Sequence, residues 1–441
     1  MNANIEPATL SPAVTNAGQM ARRSAALPRG VGQGHPVFAA RARNAEIWDV
    51  EGRRYIDFVA GIAVVNTGHC HPRVIDAAQR QLAAFTHTCF QVVAYDGYVT
   101  LCERLNALAP GEFAKKTMLI NTGAEAVENS IKIARAATGR PGVIAFHGGF
   151  HGRTLLALGL TGKVDPYTLG VGPFPGEIFH APFPCEFHGI GVTDAIHALE
   201  MLFKSDIEPS RVAAFMIEPV QGEGGYYPAP AEFLQRLRAL ADKHGILLIS
   251  DEVQSGMART GRMFGIEHSG VVPDIITMAK GLGGGFPIAA VTGRAEVMDA
   301  LHPGGLGSTY AGSPIACEAA LAVLDVIDEE SLCERAGELG LHMQARLKEL
   351  AARQACIADV RGLGAMVALE LCHGGDPERP APELTRAVIA EARERGLLLL
   401  SCGSYGNVLR LMVPLTIEHS VLDEGLDALE GAMSSAVAAA G

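Results

Sequence analysis

Ile246-Leu247-Leu248-Ile249-Ser250-Asp251-Glu252 and, further along, Ile275-Ile276-Thr277-Met278-Ala279-Lys280-Gly281-Leu282-Gly283-Gly284-Gly285 are the stretches that decide the fold. Each opens with a short apolar run without a polar face, the pattern of a strand covered on both sides. Each run then gives way to charge: Asp251 with Glu252 in the first, Lys280 in the second. The run Ala213 to Ile217 repeats the arrangement, ending in Glu218-Pro219 with Gln221, Gly222 and Glu223 in the next loop. Further runs at Met118 to Asn121, Val143 to Phe146 and Ala289 to Thr292 alternate with longer helical patterns. Such alternation predicts an α/β protein with a mostly parallel central sheet. Ligands of these sheets bind beyond the carboxyl ends of the strands, so an acid, a lysine and another acid are delivered to one rim. Solvation accounts for any one strand-end charge taken alone; together the three need a common explanation.

Lys280 precedes its glycines and has no Ser or Thr after it, so the nucleotide-loop pattern fails. A lysine crowded by glycines instead suits a planar ring lying close to the main chain. Pyridoxal phosphate needs a lysine for an imine, a carboxylate opposite its pyridine nitrogen and an anion site. Lys280 and Asp251 supply the first two. For the third, Met118 to Asn121 runs into Thr122-Gly123-Ala124-Glu125, a capping-box pattern that fixes a helix start at a strand end. The free N–H groups of Gly123 and Ala124 then face an anion, or the helix is an ordinary capped one. Phe150 either stacks on the pyridine ring or packs in the core. His147-Gly148-Gly149-Phe150-His151 and His69-Cys70-His71 lack a matching ligand set, and no metal is expected.

At 441 residues the chain exceeds the size at which one core keeps growing. Residues 66–329 form the expected large α/β domain. Ile47 to Phe58 reads as a hairpin turning at Glu51-Gly52. Beyond 330 the sequence is helical and alanine-rich, with strand-like pieces at Val360 to Leu371 and Val408 to Pro414. Residues 31–65 and 330–441 are assigned to a smaller α+β domain, 1–30 to a mobile N-terminal arm, and Ala438 to Gly441 to a frayed end. The arm holds Arg22, Arg23 and Arg29 against Glu6, a faint likeness to a transit peptide, and lacks the apolar core of a secretory signal. No apolar run approaches bilayer length. A net charge of −12 without any Lys/Arg block weighs against nucleic acid or membrane as a partner. Nine cysteines with no Cys-x-x-Cys pair read as reduced thiols of a cytoplasmic protein.

Asp251-Glu252-Val253-Gln254-Ser255-Gly256-Met257-Ala258-Arg259-Thr260-Gly261, followed by Ala279-Lys280-Gly281 and Gly283-Gly284-Gly285, resembles the class III aminotransferases. So do Asn121-Thr122-Gly123-Ala124-Glu125-Ala126, His151-Gly152-Arg153-Thr154 and Glu218-Pro219-Val220-Gln221-Gly222-Glu223-Gly224-Gly225. The resemblance runs from about Pro28 to Ile417. It implies the type I pyridoxal-phosphate-dependent transferase fold and a homodimer, or a dimer of dimers, with active sites at the subunit interface. It also implies that Gln254 hydrogen-bonds the cofactor's ring hydroxyl and that Thr309 reaches the phosphate of the neighbouring subunit. Within the family, Gly61-Ile62-Ala63-Val64, Thr86-His87-Thr88-Cys89-Phe90-Gln91, Pro303 to Gly312 and Leu409-Arg410 are similar to 4-aminobutyrate aminotransferases, and 5-aminovalerate enzymes are close in likeness. Ornithine aminotransferases tend to carry tyrosine at Ile62, which puts Ile62 among the substrate contacts. Ala124 stands where serine is frequent, Phe150 where tyrosine is, and Ser308 where glycine is; the last leaves the choice of donor open.

The reaction so implied converts 4-aminobutyrate and 2-oxoglutarate to succinate semialdehyde and L-glutamate by a ping-pong mechanism. A 5-aminovalerate or an acetylornithine/ornithine donor is the alternative. A racemase, mutase or decarboxylase on the same scaffold, or a non-catalytic interaction protein, is a more distant rival. One site must then accept a donor without an α-carboxylate and glutamate, which has one. By this resemblance Arg153 grips the distal carboxylate of both, Arg410 binds glutamate's α-carboxylate, and Glu223 pairs with Arg410 when that carboxylate is absent. Lys280 carries the proton.

Overall fold

The computed structural model describes residues 14–440. Its first sheet starts with β1 (Ala39–Arg43), β2 (Glu46–Asp49) and β3 (Arg54–Asp57). The β2–β3 hairpin lies where the sequence places it, with Ile47 opposite Tyr55. Asp49 fixes its turn by accepting the N–H of Glu51 at 2.9 Å and of Arg53 at 2.8 Å. Gly52 takes the left-handed conformation, φ +84°, that the turn requires.

The central sheet contains β4 (Lys115–Ile120), β5 (Gly142–Phe146), β6 (Ile178–Ala181), β7 (Val212–Ile217), β8 (Leu247–Asp251), β9 (Ile275–Met278) and β10 (Ala289–Arg294). They lie in the order β4-β10-β9-β8-β7-β5-β6. Strands β9, β8, β7, β5 and β6 pair in parallel, and β5, β7 and β9 are buried along their whole length. Helices on both faces account for this continuous burial, as the unbroken apolar runs require. β10 runs antiparallel to both β9 and β4. A parallel return needs a crossover of about a dozen residues or more, and segment 279–288 is too short for one once the turn Lys280–Gly283 is formed.

The remaining strands are β11 (Ile357–Leu363), β12 (Met366–Leu371), β13 (Leu397–Leu398), β14 (Leu400–Cys402) and β15 (Val408–Leu411). β13 completes the first sheet by pairing in parallel with β3. The others form an antiparallel sheet, β11-β12-β15-β14.

Part of the expected N-terminal arm lies within the described residues. Residues Asn16–Ala26 are a helix capped by Thr15, whose Oγ1 accepts the Gly18 N–H at 3.0 Å. Asn16 ties it to the first sheet through Asp49, at 2.8 Å, and the Phe38 N–H, at 2.8 Å. Residues 1–13 lie outside the described residues. At the other end the helix His419–Ala440 runs through the alanines expected to fray; Gly441 lies outside the described residues. All nine cysteines are free thiols. Among the described residues no helix is long and apolar enough to cross a membrane.

Candidate active site

Three consecutive strands of the sheet, β7, β8 and β9, deliver their carboxyl ends to one rim. Asp251 is the last residue of β8 and is buried. Its Oδ1 accepts the Thr277 hydroxyl from neighbouring β9 at 3.1 Å and the Val253 N–H at 3.1 Å. Its Oδ2 lies 2.7 Å from Nδ1 of His151, itself buried. Burial works against charge on His151, but Asp251 outweighs it and raises the imidazole above its usual range.

Glu218 follows β7. Its two oxygens accept the N–H groups of Phe150, at 2.9 Å, and Gly222, at 3.1 Å. Burial pushes its carboxyl up to about 7; His151 opposes the rise and Asp251 adds to it. Lys280 follows β9 at φ +45° and opens the turn Lys280–Gly283. Burial pushes its amine below the usual lysine range, although Glu223 pulls it back.

The capping box read from the sequence is present. Glu125 N–H donates to the Thr122 hydroxyl at 3.2 Å, and the Glu125 carboxylate accepts the Thr122 N–H at 3.0 Å. It starts the helix Gly123–Thr138 directly after β4. A Cβ on Gly123 would stand 2.9 Å from Cγ1 of Val253, so only glycine lets this helix start come so close to the end of β8.

A cavity of about 320 Å³ is lined by Gly123, Ala124, Phe150, Asp251, Gln254 and Lys280 together. The Oε1 atom of Gln254 is buried without a hydrogen-bond partner. His151, Glu218, Val64 and the segment Gly285–Ile288 are also part of its lining. These residues fit pyridoxal phosphate: an amine, a buried carboxylate and a helix start face one space, and the orphaned Gln254 oxygen awaits a donor such as a ring hydroxyl.

Five residues expected at the site do not line this cavity. Arg410, on β15, forms a buried ion pair with Glu223. Burial opposes the charge of each partner and each outweighs that for the other: the Glu223 carboxyl is held below its usual range and the Arg410 guanidinium above. Arg153 is exposed and rests over the ring of Tyr167, 5.2 Å from its centroid. Ile62 sits in a run, Ala60 to Ala63, in which every φ is positive; its own is +66°, a strained value for a β-branched residue. It packs beside the cluster containing Tyr226, Met366 and Met412. Thr309 is exposed and stands apart from the cavity of its own chain.

Tyr167 has no place in the sequence reading, and His151 enters it only within motifs. Tyr167 belongs to an irregular segment, Val164–Thr168, with no periodicity to single it out. The partner of His151 lies a hundred positions away, beyond any local pattern.

A lysine, a buried carboxylate and a helix start around one cavity at this rim fit an enzyme that uses pyridoxal phosphate, and comparison with known proteins gives its class. Residues 27–433 match the family described as aminotransferase class-III. The chain belongs to that family, whose members depend on pyridoxal phosphate. It is 59% identical over 412 residues to the 5-aminovalerate aminotransferase of Pseudomonas aeruginosa, covering 93% of this chain and 97% of that one. It is 58% identical over 408 residues to the 4-aminobutyrate aminotransferase of Escherichia coli, covering 92% and 96%. Among solved structures, an amine transaminase from an uncultivated Pseudomonas species in its pyridoxal-phosphate-bound form matches with a TM-score of 0.84 and 30% identity, covering 98% of this chain and 99% of that one.

Proposed function

We propose that this aminotransferase moves the amino group of an ω-amino acid, 4-aminobutyrate first, to 2-oxoglutarate in a ping-pong cycle that yields succinate semialdehyde and L-glutamate. The observation that carries the reading is the buried Arg410–Glu223 pair, whose Glu223 acts electrostatically on Lys280. An unpaired buried guanidinium is costly. A donor without an α-carboxylate leaves the pair intact, whereas glutamate's α-carboxylate takes Glu223's place. Arg153 is the second cation, with no acidic partner among the described residues, and receives the carboxylate that both substrates share. Ile62 bounds the donor's path.

Lys280 would hold pyridoxal phosphate covalently, with Asp251 at its ring nitrogen, Phe150 against its face, Gln254 at its hydroxyl and the Gly123 and Ala124 N–H groups at its phosphate. When bound, the cofactor supplies the electron sink that lets the donor carbon lose a proton. Burial disfavours the charged form of Lys280, so its amine is fitted to take that proton and return it. His151 and Thr277 hold the Asp251 carboxylate through hydrogen bonds to its Oδ2 and Oδ1 respectively.

The homodimer belongs to the same reading. Val92 and Val93 are 77% and 57% exposed, and Tyr310 is 67% exposed. These two segments adjoin, since Gln91 donates to the Leu306 carbonyl at 3.0 Å and the His87 ring packs at a tilt against Tyr310, centroids 5.1 Å apart. An apolar face of this kind marks an interface, and it carries Thr309 toward a second copy's phosphate site. The large domain, 66–329, then supplies Lys280, and the small one, 31–65 with 330–441, supplies Arg410. The cytoplasm, where nine free thiols stay reduced, is the compartment that fits.

A 5-aminovalerate donor, one methylene longer, is the second reading; the identity to the Pseudomonas aeruginosa enzyme favours it. Steady-state rates of glutamate formation from each donor, with 2-oxoglutarate varied, test both. Parallel double-reciprocal lines are expected, and the larger kcat/KM names the donor. Turnover without any keto acid would refute amino transfer.

A further inference from the structure

Glu223 has two partners. Arg410 pairs with its Oε1, and the Tyr167 hydroxyl donates to its Oε2 at 3.1 Å. The ring of the same tyrosine lies beneath the Arg153 guanidinium and meets Phe150 at 4.8 Å. Tyr167 thus touches both arginine subsites: its hydroxyl through Glu223, its ring directly. Burial, and Glu223 after it, push its phenol upward, so it stays a neutral donor. Its segment has an anchor separate from Arg410. The neighbouring Lys163 donates from Nζ to the Gly403 carbonyl at 2.7 Å, and the Gly403 N–H donates to the Glu223 carbonyl at 3.0 Å. The segment bearing Tyr167 and the loop bearing Glu223 are therefore tied to one residue.

This tie matters when Glu223 gives up Arg410. Its side chain is only 13% exposed, and a carboxylate left there without a donor would be costly. We propose that Tyr167 is a positioning residue that holds Glu223 in its released state, Oε2 remaining on the Tyr167 hydroxyl while Oε1 leaves Arg410 to the incoming α-carboxylate. The proposal rests on the Glu223 exchange put forward above. Its sign follows from the two states. Removing the hydroxyl takes one of two partners from the paired Glu223 but the remaining partner from the released one, so the released state suffers more. Ligands with two carboxylates are then penalised relative to ligands with one. Had Tyr167 merely pressed Glu223 against Arg410, the sign would be reversed.

The test is calorimetric titration of the cofactor-loaded Tyr167→Phe protein with glutarate, which offers two carboxylates and no amine, and with pentanoate, which offers one. The ratio of dissociation constants, glutarate over pentanoate, is expected to rise about tenfold, the scale of one hydrogen bond to a charged group. Half-reaction kinetics give a second readout, in which KM for glutamate rises while kcat holds. An unchanged or lowered ratio would overturn the proposal. Glu223→Gln separates the two layers: it should lower the ratio, because glutarate no longer displaces an ion pair. If it does so and Tyr167→Phe leaves the ratio unmoved, only the role of Tyr167 falls; if neither variant moves the ratio, the exchange itself falls with it.

Discussion

Glu223→Gln keeps the shape of the side chain and still lets it accept from Arg410, but removes the charge. Arg410 is 4% exposed and its Nε has no partner, while Glu223 is the one carboxylate paired with it among the described residues. A hydrogen bond to a charged group contributes roughly 1.5–3 kcal/mol, and about 1.4 kcal/mol corresponds to a factor of ten. In the natural protein glutamate must replace Glu223 on Arg410, and 4-aminobutyrate need not. In the variant that replacement breaks no ion pair, so glutamate gains. 4-Aminobutyrate now meets a guanidinium without a counter-charge, which competes with Arg153 for its single carboxylate. The ratio of kcat/KM for glutamate to that for 4-aminobutyrate should therefore rise roughly 10- to 100-fold. Stopped-flow absorbance of the bound cofactor, with each substrate alone, measures the two half-reactions separately. Equal slowing of both would refute the exchange and leave the ion pair a structural one.

Lys280→Ala should still bind pyridoxal phosphate, since Asp251, Gln254 and the helix start at Gly123 remain, yet show no multiple turnover; full activity would remove Lys280 from its role. Glu218 gives a pH dependence whose sign can be worked out. An unfolded glutamate loses its proton near about 4.3, whereas burial holds the folded one up to about 7. Between these values the folded state binds more protons, so this group's contribution to stability falls as pH rises through the window. Thermal melts of cofactor-free Glu218→Gln should accordingly gain on the natural protein between about pH 5 and about pH 8; a constant difference in Tm would contradict the assignment.

Much of this architecture could be read from local pattern because the pattern and the physics share a length scale. Apolar runs of strand length marked β5, β7, β8 and β9. The Thr122-Gly123-Ala124-Glu125 box marked a helix start, and glycine after Glu51 marked a hairpin turn. The reversal of β10 is set by a connection too short to cross over, a constraint visible only once the turn at Lys280 is placed. The helix Asn16–Ala26 buries no residue, so no core packing fixes it; Asn16 holds it through its contacts to Asp49 and Phe38.

At the site, six residues meet around one cavity; Gly123, Ala124, Asp251 and Lys280 stand at the ends of readable elements, Phe150 lies in the loop after β5, and Gln254 was suggested by family resemblance. The Arg410–Glu223 pair joins positions 187 apart, which composition and spacing cannot connect; family resemblance alone suggested it. Tyr167 was invisible for a related reason. It lies in irregular chain, and its value comes from three neighbours, Glu223, Arg153 and Phe150, that the sequence keeps apart. The left-handed run holding Ile62 follows a local turn, in which Asp57 Oδ1 accepts the N–H groups of Val59, at 2.8 Å, and Ala60, at 3.0 Å; a β-branched residue at positive φ goes against local preference.

The most direct test of the account is to mix the cofactor-loaded protein with excess 4-aminobutyrate, no keto acid present, and follow the cofactor's visible absorbance. The account predicts loss of the visible band, its return on adding 2-oxoglutarate, and one glutamate formed for each cofactor restored. A band that neither 4-aminobutyrate nor 5-aminovalerate alters, in protein that glutamate does convert, would contradict it.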